Sequence, residues 1–436
     1  MNEFEIDGVW WFPKYPNRTF RGSLNFIIGI GGWLVPEYMN PILGMINDNF
    51  NIINGRGNNG KYYTLFGLNK HHWNLSCTAN IVFEGALFES EESLLFNQIT
   101  FSIKYLNRFY NLHVNPKMQP LQLIKKPHIT HFFSLNNLNY FIGCDDNFHD
   151  DNSGYISVTS PQLHHISNMW SNSFDDLLSL LSIVLGFEIW IENAYCYANN
   201  KNNNKKIIIY YSPSFRPEHT PKNVALLPSS LYSTGELFNN LALYISKGIE
   251  KSLGSVYCLF SKSMFIKRDF LDLKYLRLIT ALEIYYDLRI GKGYIEHSHV
   301  EPVIKSVIDG LQPDLNKRLR TRISSLIRHA NNYTLEEKLK HLIDNCAPFI
   351  FNILKTHGIS ISKIVVTRNY YTHYNIKHKN KILDQHELAN TIDIFILMIK
   401  YIIYCEMDME REFIDDRIKH EKEYKYLLPL RSPIKT

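Results

Sequence analysis

The sequence predicts an α+β multidomain protein, a β-rich N-terminal domain followed by an all-α helical bundle. Three observations carry this. Apolar residues alternate or run in short segments up to about residue 211, and they recur at three and four spacing beyond about Ser233. All six tryptophans and 28 of the 38 glycines and prolines fall before residue 251, so turn-rich and helix-rich chain are segregated. Charge divides at the same place: residues 1–250 hold 17 basic and 20 acidic groups, whereas residues 251–436 hold 30 and 22 and stand at net +8 within a chain of net +5. With 436 residues, 45% hydrophobic and 20% charged, the chain can bury the cores of two or three domains and is neither disordered nor fibrous.

In the first part, GSLNFIIGIGG (22–32), NPILGMI (40–46), KYYTLFGL (61–68), TANIVFEGALF (78–88) and ITFSIKY (99–105) read as strands broken by Gly, Asn and Pro. YFIGC, YISVTS and KKIIIYY continue the pattern to residue 211. The GRGNNGK stretch (55–61) lies between two strands, and its glycines suit a hairpin end that needs positive φ. A phosphate loop would end in Gly-Lys-Ser/Thr and open a helix; here Lys61 is followed by Tyr62 and Tyr63. One helix opens at Ser173, with Asp175 and Asp176 in its first turn. The Asn-rich run 199–204 is an exposed hairpin loop, and four prolines between Pro213 and Pro228 mark a connector.

Beyond the connector, helices are expected over 231–260, 268–289, 313–330, 334–346, 360–375 and 387–407. Thr334 with Glu337 forms a capping box, and Pro313 and Asp314 open the preceding helix. A charged terminal helix then frays into a tail. The expected domains are thus 1–230 (β-rich), 235–410 (helical bundle) and 411–436 (charged C-terminal tail).

The six cysteines lack CxxC or close pairing, which argues against a disulfide framework and a structural zinc. The acidic start is no signal peptide, and the longest apolar stretch, Ile392 to Cys405, is short for a membrane span and carries Lys400. A cytoplasmic protein without membrane contact is expected. GxSxG, HExxH, GxGxxG, Walker A and EF-hand patterns are missing from the sequence. His71-His72 and His164-His165 have no ligand-spaced partners, so no metal and no cofactor is expected.

One segment stands out: Arg368-Asn369-Tyr370-Tyr371-Thr372-His373, an R-x4-H element late in the basic helical half. The spacing alone is weak, since Arg108 to His113 has it too and Arg322 to His329, with six residues between, comes close. Only Arg368 is followed by a polar Asn, and only this copy stands directly before the last long helix. Upstream, Glu283 interrupts the apolar stretch LITALEIYY; a carboxylate there is costly unless paired, and Arg368 or another base is the expected partner.

With TRNYYTHYN (367–375), the YLRLITALEIYY helix and the helix after Asp384, residues 235–410 resemble the HEPN domains, specifically the ApeA-like HEPN proteins of bacterial anti-phage defence. The β-rich part is similar, less specifically, to the N-terminal domain of that architecture. The resemblance implies a metal-independent endoribonuclease working as a homodimer or higher homo-oligomer. It makes Arg368, Asn369 and His373 the catalytic positions, and Tyr370 and Tyr371 are bulky at variable ones. The N-terminal domain would be the sensor or regulator, with a phage protein as trigger and RNA, transfer RNA among the candidates, as substrate.

Elementary chemistry agrees with that implication. RNA carries its own nucleophile, the 2′-hydroxyl, so a proton carrier and a fixed positive charge suffice. Histidine, with an ordinary pKa of about 6.5, supplies the first and a planar guanidinium the second. On one helix Arg368 and His373 lie about 140° apart, whereas Asn369 and His373 share a face, which favours a site built from two copies. Glu283 and Tyr374 are read as supports for the pair. Lys377, Lys379 and Lys381 after the motif, and Arg318, Arg320 and Arg322 in NKRLRTRISS, are candidate RNA contacts, with a solvated helix face as the plainer account. Tyr371 and Tyr374 are read as core or rim, with base stacking as the other option. Two alternatives stand beside the nuclease: a non-catalytic nucleotide- or RNA-binding HEPN scaffold, and a β-sandwich ligand binder using Trp10, Trp11 and Trp33.

Overall fold

The computed structural model describes residues 3–27, 31–38, 51–71, 76–104, 131–135, 137–143, 153–169, 172–185, 189, 191–200, 203–211, 245–265, 270–291, 293–294, 297–311, 316–374, 376–420 and 422–427. The chain divides into two compact units, Met1–Ser246 and Lys247–Thr436. The expected strand at 40–46, the Pro-rich connector, the start of the helix expected from 231 and the last nine residues lie outside the described residues.

The first unit is all antiparallel strands with a little helix. β1 (Phe4–Trp11), β2 (Thr19–Ile27), β3 (Gly31–Pro36), β4 (Ile52–Gly57), β5 (Tyr62–His71) and β6 (Ser76–Glu84) pair in the order β3-β2-β1-β4-β5-β6, and β6 returns to β3. That closes a barrel and leaves it without free edges. The closing pairs are Gly32 with Ala79, Trp33 with Thr78 and Leu34 with Cys77. The second half of β6 departs from β3, and Ile81 to Glu84 pair instead with β12 (Asn203–Tyr211). From there a second sheet runs through β11 (Ile191–Asn200), β7 (Leu95–Lys104), β10 (Ser153–His165), β9 (Leu138–Gly143) and β8 (His131–Leu135). Two helices, α1 (Ile166–Met169) and α2 (Asn172–Leu185), follow β10, and Phe174 of α2 stacks on Phe101 of β7 at 4.1 Å.

Where the sheets part, one carboxylate gathers the polar groups. Glu84 takes an ion pair from Lys61 (2.6 Å) and hydrogen bonds from the hydroxyls of Tyr210 (3.0 Å) and Tyr63 (3.4 Å). Burial pushes the Tyr210 hydroxyl well above its ordinary pKa, so it stays a donor to Glu84. The hairpin expected at Asn199–Asn204 is present, with Asn200 opposite Asn203. Of the glycines in GRGNNGK only Gly60 has positive φ, +79°. Gly55 serves another purpose: a Cβ there would lie 2.1 Å from the Trp10 ring. Trp10 is fully buried in the barrel core, with its indole N–H donated to the Gly22 carbonyl, so the reading of Trp10 as an exposed ligand contact is corrected.

The second unit is helical. α3 (Gly254–Phe265), α4 (Leu271–Arg289), α5 (His297–Asp309), α6 (Lys317–Asn331), α7 (Leu335–Cys346), α8 (Phe349–Thr356), α9 (Ile361–His373) and α10 (Gln385–Glu406) precede α11 (Arg411–His420) and α12 (Lys422–Leu427). The capping box at α7 forms as expected: the Glu337 amide donates to Thr334 Oγ1, and the Glu337 carboxylate accepts from the Thr334 amide at 2.8 Å. By length and apolar composition α10 alone among the described helices would pass for a membrane span. Its residues are buried almost without a break from Leu388 to Tyr404, against α3, α4, α8, α11 and α12.

The expected tail from residue 411 is corrected as far as residue 427. Ile414, Ile418 and Leu427 are buried, and Glu423 of α12 pairs at 3.3 Å with Lys400 of α10, both side chains under 10% exposed. A lysine in an apolar core helix needs a counter-charge, and the terminal helices bring it.

Two outcomes follow for the fold. Gly55→Ala forces Trp10 out of its rotamer and should lower barrel stability by about 1–3 kcal/mol, read as an earlier thermal transition. Glu423→Gln should cost about 3–5 kcal/mol by removing a buried counter-charge of Lys400, whereas Lys400→Met with Glu423→Leu should recover most of it, as measured by urea unfolding.

Candidate active site

α9 begins with a side-chain cap, Ser360 Oγ accepting from the Lys363 amide, and ends at Tyr374 in the left-handed region, φ 50° and ψ 39°. Only Ile364 and Thr367 of this helix are buried. Such a helix has too little apolar surface to be held by packing alone, and specific polar contacts fix it. Tyr275 of α4, itself buried, donates its hydroxyl to the Ile364 carbonyl at 2.6 Å. Thr367 Oγ1 donates to the Lys363 carbonyl (2.8 Å) and accepts from the Leu383 amide (2.9 Å), tying α9 to the turn that opens α10. Lys363 bridges to Glu387 at 2.6 Å. Glu387 in turn caps α10 with Asp384, whose carboxyl the Glu387 amide holds below its ordinary range.

On this frame the motif is displayed. Arg368 Nη2 donates to Glu283 Oε2 of α4 at 3.2 Å, and Nη1 reaches Asn369 Oδ1 at 3.3 Å. The Arg368 and Glu283 side chains are about a quarter exposed, 26% and 27%, so the pair is oriented but open to solvent. Asn369, His373 and Tyr374 are exposed. The expected pairing of Arg368 with Glu283 is therefore what the structure has, while Arg368 and His373 stand on one continuous helix, about 7.5 Å apart along its axis and on different faces.

Around them lies a run of rings. Tyr275 stacks on Phe395 at 5.9 Å and meets Tyr371 edge-on at 6.3 Å; Tyr371 meets Tyr370 at 5.5 Å, and Tyr370 meets Tyr374 at 5.6 Å. Burial pushes the hydroxyls of Tyr275 and Tyr371 above their ordinary pKa.

The basic candidates separate into two groups. Lys377, Lys379 and Lys381 lie in a 3-10 segment, Ile376–Lys381, that packs on α9, with Lys379 and Lys381 exposed. Arg318, Arg320 and Arg322 sit on α6, whose main packing is against α5. Arg108 to His113 lies outside the described residues. His165 is taken up locally, through Ser167 at 2.7 Å and the Glu91 carbonyl at 3.0 Å.

Two family models match the chain. The one described as ApeA N-terminal domain 1 matches residues 5–241, and the one described as Apea-like HEPN matches residues 276–413. The chain belongs to the ApeA-like HEPN family. No curated protein and no solved structure matches it. The HEPN match opens inside α4 and closes inside α11, so it contains both Glu283 and the whole R-x4-H element of this ApeA-like HEPN protein. HEPN domains are generally ribonucleases, and the ApeA-like branch points to anti-phage defence.

Sequence reasoning missed Tyr275, Thr367 and the Lys363–Glu387 pair as parts that position the site. Each acts through a partner 16 or more residues away, and Tyr275 is 89 residues from its acceptor. The local signals were a threonine on an otherwise apolar face and an acidic N-cap after it.

Thr367→Val keeps the volume and removes the acceptor of a buried amide. It should cost about 1–3 kcal/mol in stability, and Thr367→Ser should restore most of it, as read by thermal unfolding of the full chain.

Proposed function

We propose that this protein is a metal-independent endoribonuclease of an anti-phage abortive-infection system. The observation that carries the reading is an R-x4-H element at the exposed C-terminal end of α9, its arginine steadied by Glu283 and its histidine free to solvent. In the proposed reaction the 2′-oxygen attacks the adjacent phosphorus and the bond to the 5′-oxygen breaks. His373 takes the 2′-proton or returns one to the leaving oxygen, and Arg368 meets the phosphate charge. The products are a 2′,3′-cyclic phosphate and a 5′-hydroxyl.

The two groups diverge around α9, so a homodimer or larger homo-oligomer that sets one copy's arginine beside the other's histidine is the arrangement this reading favours. Asn369 shares the face of His373 and orients the phosphate or the ring. The β-rich unit is the regulatory part, with a phage protein as its trigger, and the enzyme acts in the cytoplasm on RNA, transfer RNA among the candidates. A non-catalytic HEPN scaffold is the competing account, because an arginine paired with a helix carboxylate is also a structural device.

The test is induced expression in a bacterial host, with and without phage, of wild type, Arg368→Ala and His373→Ala. Wild type should arrest growth and leave cyclic-phosphate RNA ends, in EDTA-treated extracts as well. His373→Ala should lower cleavage by at least about 10²-fold. A quarter-exposed ion pair is worth under about 1 kcal/mol, so Arg368→Ala should fold and lose activity all the same. Equal cleavage by all three proteins, or loss of folding in place of activity, would favour the scaffold.

A further inference from the structure

Tyr374 departs from its expected supporting role. It is 74% exposed, one of the most exposed large side chains described, although it follows the motif histidine directly. It also occupies the left-handed conformation, where a glycine or asparagine is the usual choice at a helix end and a bulky residue is strained. Its amide still closes α9 on the Tyr370 carbonyl at 2.7 Å, so the backbone there is set. A large ring in a costly conformation, left in water, gains nothing for the fold beyond its contact with Tyr370.

The ring is also not loose. It lies 5.6 Å from Tyr370 at 31°, Tyr370 is 5.5 Å from Tyr371, and Tyr371 is 6.3 Å from the buried Tyr275. This is a ladder of four tyrosines rising from the bundle core to the surface beside His373. Its outermost face is flat, apolar and oriented in advance, with the exposed Lys379 and Lys381 in the segment that follows.

We infer that Tyr374, backed by Tyr370, is the platform on which an unpaired base of the RNA stacks, fixing which nucleotide meets the Arg368 and His373 pair. The inference rests on the ribonuclease reading and adds a specificity-determining residue and a substrate class to it. The substrate is RNA with an unpaired base at the cut, because a paired base has no free face to offer. Purines, with the larger π-face, are preferred there.

The experiment separates ring from backbone. Tyr374→Asn keeps a residue that tolerates the left-handed conformation and removes the ring, whereas Tyr374→Phe keeps the ring. Each is made in the full chain, for cleavage, and together with His373→Ala, for binding without turnover. The probes are oligoadenylate, oligouridylate and an RNA duplex. Tyr374→Asn should weaken oligoadenylate binding about 5- to 150-fold, the range of one lost stack, and reduce the preference for oligoadenylate over oligouridylate. Duplex binding and thermal stability should stay as in the parent, and Tyr374→Phe should lie within about twofold of it. If Tyr374→Asn binds and cuts all probes like its parent while His373→Ala alone stops cleavage, the platform is refuted and the nuclease stands. A wild type that neither binds nor cuts any probe under conditions of growth arrest overturns both.

Discussion

α10 has to be buried on nearly every side, and the architecture of the second unit follows from that. A helix apolar all round cannot lie on a surface. α3, α4, α8, α11 and α12 cover it, and its one deep charge, Lys400, draws in the terminal helix through Glu423. α9 stands outside this wrapping. With two buried residues against fourteen in α10, it is clipped to the bundle by a tyrosine hydroxyl, a threonine hydroxyl and an ion pair. A helix fixed at a few points keeps its remaining faces for chemistry, and these are the faces the motif occupies.

How much of this could be read beforehand depended on range. The strands with strict alternation, the helices expected over 268–289, 334–346, 360–375 and 387–407 and the capping box at Thr334 are written in local spacing, and they form close to where that spacing puts them; the helix expected over 231–260 is instead broken at Lys251–Leu253, where Ser252 turns left-handed. α5 was not anticipated, because Pro302 lies inside it and its start is polar. β1 was missed for a related reason: Gly8 and two acids interrupt FEIDGVWW, and only its pairing with β2 and β4 makes it a strand. Trp10 misled because the room for its ring is made 45 positions away by a missing side chain, at Gly55. That Glu283 needs a basic partner was legible from the cost of a carboxylate in an apolar stretch; that Arg368 is one is seen in the fold. The clips on α9 were not legible, since a buried tyrosine does not announce its acceptor.

The site's two halves differ in how firmly they are held. Arg368 is fixed by a carboxylate and by its neighbour Asn369; among the described residues His373 is placed by its position as the last residue of a helix whose next residue turns left-handed. That turn stops α9 within one residue of the histidine, so the imidazole stands at an end and not along a side.

Charge balance bears on the proposed reaction. Pairing with Glu283 leaves Arg368 close to neutral as a pair, which weakens its pull on a phosphate at a distance. It does not exhaust the guanidinium, however: one N–H goes to Glu283 and one to Asn369, and a guanidinium has five. In the proposed reaction the pair would therefore act at short range and by geometry, on a phosphate already in place. Under the proposed reaction, long-range attraction would fall to cations such as Lys379 and Lys381, both exposed in the segment that packs on α9. Capture and alignment are then separate tasks. Salt weakens the first through screening, while the second, being a matter of contact, is far less sensitive to it.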